Sequence, residues 1–116
     1  MPLLTELDKP QLDRGDILRL SDNYDTGPGT GPVDLLVFDP RDDECGFGLI
    51  VASGYKAGLI LHVFPKESMH ADGGLSTEWL IANWRTWMVY TYHDGSPPLE
   101  TALVLRTDNR TMPQEL

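Results

Sequence analysis

Apolar residues concentrate in one stretch of the chain, from Phe47 to Trp87, which contains two dense apolar runs and a tryptophan-rich segment. The runs Phe47–Ser53 and Leu59–Phe64 are bounded by glycine, proline or charged residues, and their aliphatic content is typical of β-strands. Each run is apolar on both faces. We therefore expect both strands to be covered twice, either by closure into a barrel or by a helix lying over one face.

Alternation in the second run predicts that Ile60, His62 and Phe64 share one face of the strand. Glycines bracket the link between the two runs and permit positive φ angles there. The two runs should therefore form a central hairpin that carries Tyr55 and Lys56 at its tip.

The remaining pattern predicts four shorter strands and one helix. The strands are expected at Ile17–Leu20, Val33–Phe38, Trp87–Tyr92 and Leu99–Leu105. Ser76 is a suitable N-cap for a helix from Thr77 to about Trp84, whose apolar residues fall near one stripe. The predicted fold class is mostly β, of the α+β kind, with about six antiparallel strands in a strongly bent sheet or small barrel and one helix covering it.

A length of 116 residues fits a single domain, 1–116. The Gly/Pro-rich segment near 22–32 predicts a mobile loop, and residues 107–116, which lack apolar periodicity, predict a frayed C-terminus. No signal-peptide pattern opens the sequence, and no apolar run approaches the roughly 18 residues that a membrane span needs. With its single cysteine, Cys45, the chain is expected to be cytoplasmic.

Charge is strongly negative and unevenly distributed. Nine basic and 18 acidic residues give a net charge of -9, and the four basic and 11 acidic residues before position 45 account for -7 of it. Such a field repels nucleic acid and attracts basic partners, although acidity also serves solubility alone. Its densest run is Asp42, Asp43 and Glu44, in the loop after the second strand, where a solvated turn is the simpler interpretation.

No arrangement of residues predicts catalysis, a metal or a cofactor. The three histidines are scattered without the spacing of a zinc site, and His62 in its apolar strand is most simply a packed residue. The acidic run should raise the pKa of the Cys45 thiol, which disfavours a reactive nucleophile. We therefore expect a protein that is not an enzyme.

The remaining candidates lie on the surface and suit protein binding. Acidic side chains accelerate encounter with a basic partner, and exposed aromatic side chains anchor the complex. The hairpin tip supplies an aromatic ring and an ammonium group, and Trp79 lies off the apolar stripe of the helix, where partial exposure is expected. The predicted contact residues are Asp42, Asp43, Glu44, Tyr55, Lys56 and Trp79.

Several segments resemble the Immunity protein 45 family of bacterial polymorphic-toxin systems. The similarity spans roughly residues 14 to 92 and rests on the segments Arg14–Ile17, Phe47–Leu49, Ser53–Leu61, Ser76–Leu80 and Asn83–Trp84. The resemblance implies a mostly β immunity protein that neutralises a cognate secreted or contact-dependent toxin. We expect it to do so by binding the toxin domain and occluding its active site. The resemblance brings no catalytic residues.

Acidity suits a basic nuclease as the toxin, and no nucleic-acid or membrane partner is expected. One alternative is a small-molecule-binding or enzymatic β-barrel with an internal pocket lined by His62 and the tryptophans. Another is a homo-oligomeric structural module, and a homodimer stays open beside the toxin-binding function.

Overall fold

The computed structural model describes residues 1–106, and the segment predicted to fray, 107–116, lies outside the described residues. Its frame is a five-stranded antiparallel sheet with the spatial order β5-β4-β3-β2-β7. The strands of this sheet are β2 (Ile17–Leu20), β3 (Val33–Phe38), β4 (Cys45–Val51), β5 (Ile60–Pro65) and β7 (Leu103–Leu105). A second, two-stranded sheet pairs β1 (Gln11–Leu12) with β6 (Leu75–Ser76). Neither sheet closes into a barrel.

Two short helices, α1 (Thr77–Ala82) and α2 (Trp84–Trp87), pack on one side of the large sheet, which we call its inner face. The Ser76 side chain accepts a hydrogen bond of 3.1 Å from the Trp79 backbone N–H, so the predicted N-cap is confirmed. Leu80 and Trp84 are buried in the core cluster, and the Trp84 indole donates to the carbonyl oxygen of Pro97 at 2.7 Å.

The core cluster is built from the inner face of the sheet and the elements that cover it. Alternate residues of β2, β3 and β4 are buried there, as the period of a strand requires. Buried strand residues of these three strands are Leu18, Leu20, Val33, Leu35, Val37, Leu49 and Val51. The mostly β, antiparallel prediction is therefore confirmed, with two short helices in place of one.

Three predicted elements differ from the structure. The strand predicted at Trp87–Tyr92 is wrong, because Trp87 ends α2 and Tyr90 donates its N–H to Gly95 in a closed loop. The strand predicted at Leu99–Leu105 is shorter, because residues 99–101 form a 3-10 turn after two prolines and only β7 joins the sheet. The predicted helix divides at Asn83, between α1 and α2.

A bulge in β5 changes which side chains face the core. His62 lies opposite Leu49 and Ile60 lies opposite Ile50, so Leu61 is an extra residue between the two pairs. His62 consequently lies on the inner face, whereas Ile60 lies on the outer face and is 60% exposed. The prediction that Ile60 shares a face with His62 is wrong, because strict alternation assumes an unbroken ladder.

Close approach and backbone geometry explain three glycines of the hairpin. Gly54 and Gly58 have φ angles of 79° and 98°, as predicted for the link at its tip. A Cβ at Gly48 would lie 2.3 Å from the carbonyl oxygen of His62 and 2.7 Å from the ring of Phe38. Glycine at this position thus lets the Phe38 ring lie over the strand.

Candidate protein-interaction surface

The acidic loop, residues 39–44, joins β3 to β4 and presents carboxylates to solvent. Its shape comes from two local turns: the Asp39 carboxylate accepts the Arg41 N–H at 2.7 Å, and the Asp42 carboxylate accepts the Glu44 N–H at 2.9 Å. Asp42, Asp43 and Glu44 are all exposed. The three predicted acidic residues therefore all face solvent in one short loop.

Burial and the carboxylates of this loop both act on the neighbouring cysteine. Burial raises the pKa of the Cys45 thiol, and the carboxylates of Asp42, Asp39 and Glu44 raise it further. The predicted direction of the pKa shift is confirmed. Cys45 is thus held in its protonated, less nucleophilic form.

The hairpin tip between β4 and β5 is the second predicted contact region. Tyr55 is 80% exposed, and Lys56 beside it is partly buried. Leu59 and Ile60, which follow the tip, are 57% and 60% exposed. The backbone of Gly27 passes close to the base of the Tyr55 side chain, so a second loop supports the tip.

The acidic loop and the hairpin tip lie at opposite ends of β4. The seven residues of β4 extend over roughly 24 Å at the usual rise per residue. The structure therefore does not bring Asp42, Asp43 and Glu44 together with Tyr55 and Lys56 into one small patch.

Trp79, on α1, is partly buried and contacts the rings of Phe64 and Trp87, with centroids 5.6 Å and 6.0 Å away. Phe64 precedes Pro65, which lies opposite Cys45 at the start of β4. Trp79 therefore lies toward the end of the sheet that carries the acidic loop.

Ring contacts link seven side chains on the inner face into an aromatic cluster. Neighbouring centroids lie 4.0 to 6.3 Å apart. The members are Tyr24, His62, Phe64, Trp79, Trp87, Tyr90 and His93. The sequence pattern does not predict that Tyr24 and Tyr90 belong to this cluster, because the first lies in a Gly/Pro-rich loop and the second in a segment that alternates like a strand.

Two carboxylates connect the loop of Tyr24 to this cluster. The Tyr90 hydroxyl donates to Asp22 at 2.6 Å, which raises the pKa of Tyr90 to about 12. The Asp25 carboxylate accepts the backbone N–H of Thr91 at 3.1 Å. Asp22 and Asp25, at the start of the loop, are the sequence signal that could have indicated this contact.

His62 is a packed residue of the aromatic cluster. Its Nε2 lies 3.1 Å from the Tyr24 hydroxyl, and burial lowers the pKa of His62 and raises that of Tyr24. A groove of about 600 Å³ is lined by residues that include Trp84, Tyr90 and His93, and His62 is not among them. The rings of Tyr24, Phe64 and Trp87 contact the His62 imidazole, with centroids 5.7 to 6.3 Å away.

The segment Arg14–Ile17, which carries part of the family resemblance, builds a turn. The Asp16 carboxylate is 1% exposed, accepts the Asp13 N–H at 2.8 Å and lies 3.2 Å from the Arg106 guanidinium. Arg106 also pairs with Asp13 at 2.7 Å. These ion pairs hold Arg106, the residue after β7, against the turn before β2.

Within residues 1–106, no three histidine, cysteine, aspartate or glutamate side chains are grouped so that they could hold a metal ion. The helices of this part of the chain are all too short or too polar to cross a bilayer.

Fold and surface together define a small, acidic, mostly β protein with an exposed carboxylate loop at one end of its sheet and an exposed aromatic tip at the other. The family model of Immunity protein 45 matches residues 4–96, so the chain belongs to the Immunity protein 45 family. The predicted resemblance is confirmed, and the matched region contains the acidic loop, the hairpin tip and Trp79. No significant match is found among curated proteins or among solved structures.

Proposed function

We propose that this chain is a cytoplasmic immunity protein that binds a cognate bacterial polymorphic toxin and neutralises it by covering the toxin's active site. Membership of the Immunity protein 45 family is the observation that carries this proposal. The exposed acidic loop supports it, because three adjacent carboxylates in solvent attract a basic protein surface. A basic nuclease is the toxin class that this charge suits.

The six predicted contact residues take two roles. Asp42, Asp43 and Glu44 steer the toxin by long-range attraction, whereas Tyr55, Lys56 and Trp79 anchor it after contact. Because roughly 24 Å of β4 separates the two ends of the sheet, a toxin that uses both ends must lie along the length of the strand. A toxin that uses the acidic end alone contacts the loop and Trp79.

Co-expression with a candidate toxin domain, taken from a gene adjacent to the one for this chain, tests the function directly. We expect the chain to restore growth of cells that make the toxin, and to co-purify with it in a defined complex. A toxin that still kills in the presence of the folded chain, and does not bind it, would refute the proposal.

The steering role is tested by the triple variant D42K/D43K/E44K. Association with the toxin should slow, and its dependence on salt should weaken, because the attraction that salt screens has been reversed. The matched control is E6K/D8K/E100K, which changes the net charge equally at three exposed positions elsewhere. Equal association rates for the two variants would remove the acidic loop from the interface.

The anchoring role is tested by Tyr55→Ala, which should accelerate dissociation while leaving the association rate nearly unchanged. Tyr92→Ala is the matched control, because Tyr92 is 74% exposed in a different loop. If both variants dissociate at the wild-type rate, the hairpin tip is not part of the interface.

A further inference from the structure

The outer face of the five-stranded sheet carries a continuous row of aliphatic side chains. Strand register places Leu105 opposite Ile17, and Ile17 opposite Leu36 on its other side. Leu36 in turn lies opposite Ile50, and Ile50 lies opposite Ile60. These five residues, the aliphatic row, cross all five strands from β7 to β5.

Nothing in the described residues buries this row in the core. Its five members are neither part of the core cluster nor packed against it, and Leu105 and Ile60 at its ends are 43% and 60% exposed. Phe38, which lies over Gly48, and Val63, opposite the same glycine, widen the apolar surface. The sequence predicts that β4 and β5 are covered on both faces. In the structure, helices cover only their inner face.

The charge of this face differs from that of the rest of the protein. The strand positions that point outward between β2 and β5 carry one cation and one anion, Arg19 and Asp34, whose side chains pair at 2.7 Å. The face is therefore neutral, in a chain of net charge -9. A basic partner is drawn to the acidic loop, whereas a second copy of this chain, which is itself acidic, meets no net charge at the aliphatic row.

We propose that a second copy of this chain docks on the aliphatic row, so that two sheets pack face to face in a symmetric dimer. Sheets stacked in this way lie about 10 Å apart with their side chains interdigitated. This inference does not rest on the proposed toxin binding. It leaves the acidic loop, which lies at the end of the sheet and outside the row, free for a toxin.

Size sets the expected strength of this dimer. Four strand spacings give the row a length of about 19 Å, and a patch about as wide as it is long would bury on the order of 800 Å² over both copies. Stable interfaces bury roughly 1,200 to 2,000 Å². The dimer should therefore be reversible and depend on protein concentration.

Leu36 is the middle residue of the row, so substitutions of Leu36 test the proposed dimer directly. In a face-to-face dimer the two-fold axis lies between the sheets, and the centre of the patch then faces its own symmetry mate. Leu36→Glu would oppose two carboxylates, and Leu36→Lys would oppose two ammonium groups. A mixture of the two variants would oppose unlike charges.

Sedimentation velocity of the full chain over a wide concentration range is the experiment. The wild-type chain should shift from monomer to dimer as concentration rises, each Leu36 variant should remain monomeric, and the mixture should recover the dimer. Tyr92→Glu, at an exposed position in another loop, should dimerise as the wild type does. Circular dichroism and urea unfolding verify the fold of each variant, and Ile17→Thr, which keeps β-branching, replaces any variant that does not fold.

A wild-type chain that is monomeric throughout, or a Leu36→Glu variant that dimerises normally, would overturn the inference. So would loss of toxin binding in Leu36→Glu beside a monomeric wild type, since that result assigns the face to the toxin. A monomeric Leu36→Glu that still neutralises the toxin supports it. A chain that dimerises through this face without neutralising any toxin refutes the proposed function alone.

Discussion

Arg19 and Asp34 lie directly opposite each other on β2 and β3, and their side chains form a bidentate pair. Arg19 Nε donates to Asp34 Oδ1 at 2.7 Å, and Nη2 donates to Oδ2 at 3.0 Å. The hydrogen bond and charge of Asp34 raise the pKa of Arg19. The pair fixes the register of the two strands and removes net charge from the outer face of the sheet.

Reversing one charge of this pair should weaken the fold, because two carboxylates would then face each other across the strands. We expect Arg19→Asp to lower the urea midpoint and the double variant R19D/D34R to recover part of the loss. Lys9→Asp, the same change at an exposed position, is the control. A midpoint for Arg19→Asp equal to that of the control would show that the pair contributes nothing.

Gly48→Ala should destabilise the protein by about 2 to 3 kcal/mol, because the added methyl group overlaps a backbone carbonyl oxygen and the Phe38 ring. Thermal or urea unfolding measures the loss. Gly31→Ala is the matched control, since a Cβ there meets open space and the φ angle is ordinary. Equal stability of the two variants would contradict the close packing of Phe38 over β4.

Protonation of His62 should make stability depend on pH. Burial lowers the folded-state pKa of His62 below its unfolded value, so the unfolded chain binds the proton more readily. Stability is therefore highest above the unfolded pKa of about 6.5, and it falls as the pH drops through that value toward the folded pKa. Urea midpoints measured from neutral to mildly acidic pH should show this slope.

His62→Gln should flatten this pH slope, because it removes the buried imidazole. The Tyr24 hydroxyl, 3.1 Å from His62 Nε2, keeps a hydrogen-bonding partner in the glutamine variant. If wild type and His62→Gln lose stability in parallel on acidification, another group is responsible for the slope.

Arg106→Met should cost about 3 kcal/mol of unfolding free energy. It removes a cation 3.2 Å from the carboxylate of Asp16, which is buried at 1% exposure, and also removes the pair with Asp13. Arg85→Met, at an exposed position of α2, is the control and should change stability little. Urea unfolding distinguishes the two, and a small loss for Arg106→Met would show that the turn before β2 holds without it.

The local pattern of apolar and polar residues predicted four of the five strands of the large sheet. Each of these strands alternates or is continuously apolar, and each is bounded by glycine, proline or charged residues. The pattern did not predict the segments whose structure depends on tertiary contacts. The segment after Trp87 alternates like a strand, yet Met88 is buried and Tyr90 bonds to Asp22, which is distant in sequence. The bulge at Leu61 is likewise set by pairing with β4 and leaves no signature in β5 alone.

The sequence predicts the individual residues of the candidate surface, but not their arrangement in space. Exposure of the acidic loop and of Tyr55 follows from turn chemistry, which is local. The separation of the two regions depends on strand connectivity: consecutive loops of an antiparallel hairpin lie at opposite ends of the sheet. The aliphatic row is a property of register across five strands, so no single segment of the sequence reveals it.

The extra residue in β5 also limits how copies of this chain can accumulate. A regular edge strand is a template onto which further strands add, and repeated addition leads to fibres. The ladder between β5 and β4 is interrupted twice, and β5 ends at Pro65, which has no N–H to donate. At this edge, strand-by-strand polymerisation of copies of the chain therefore lacks a straight template.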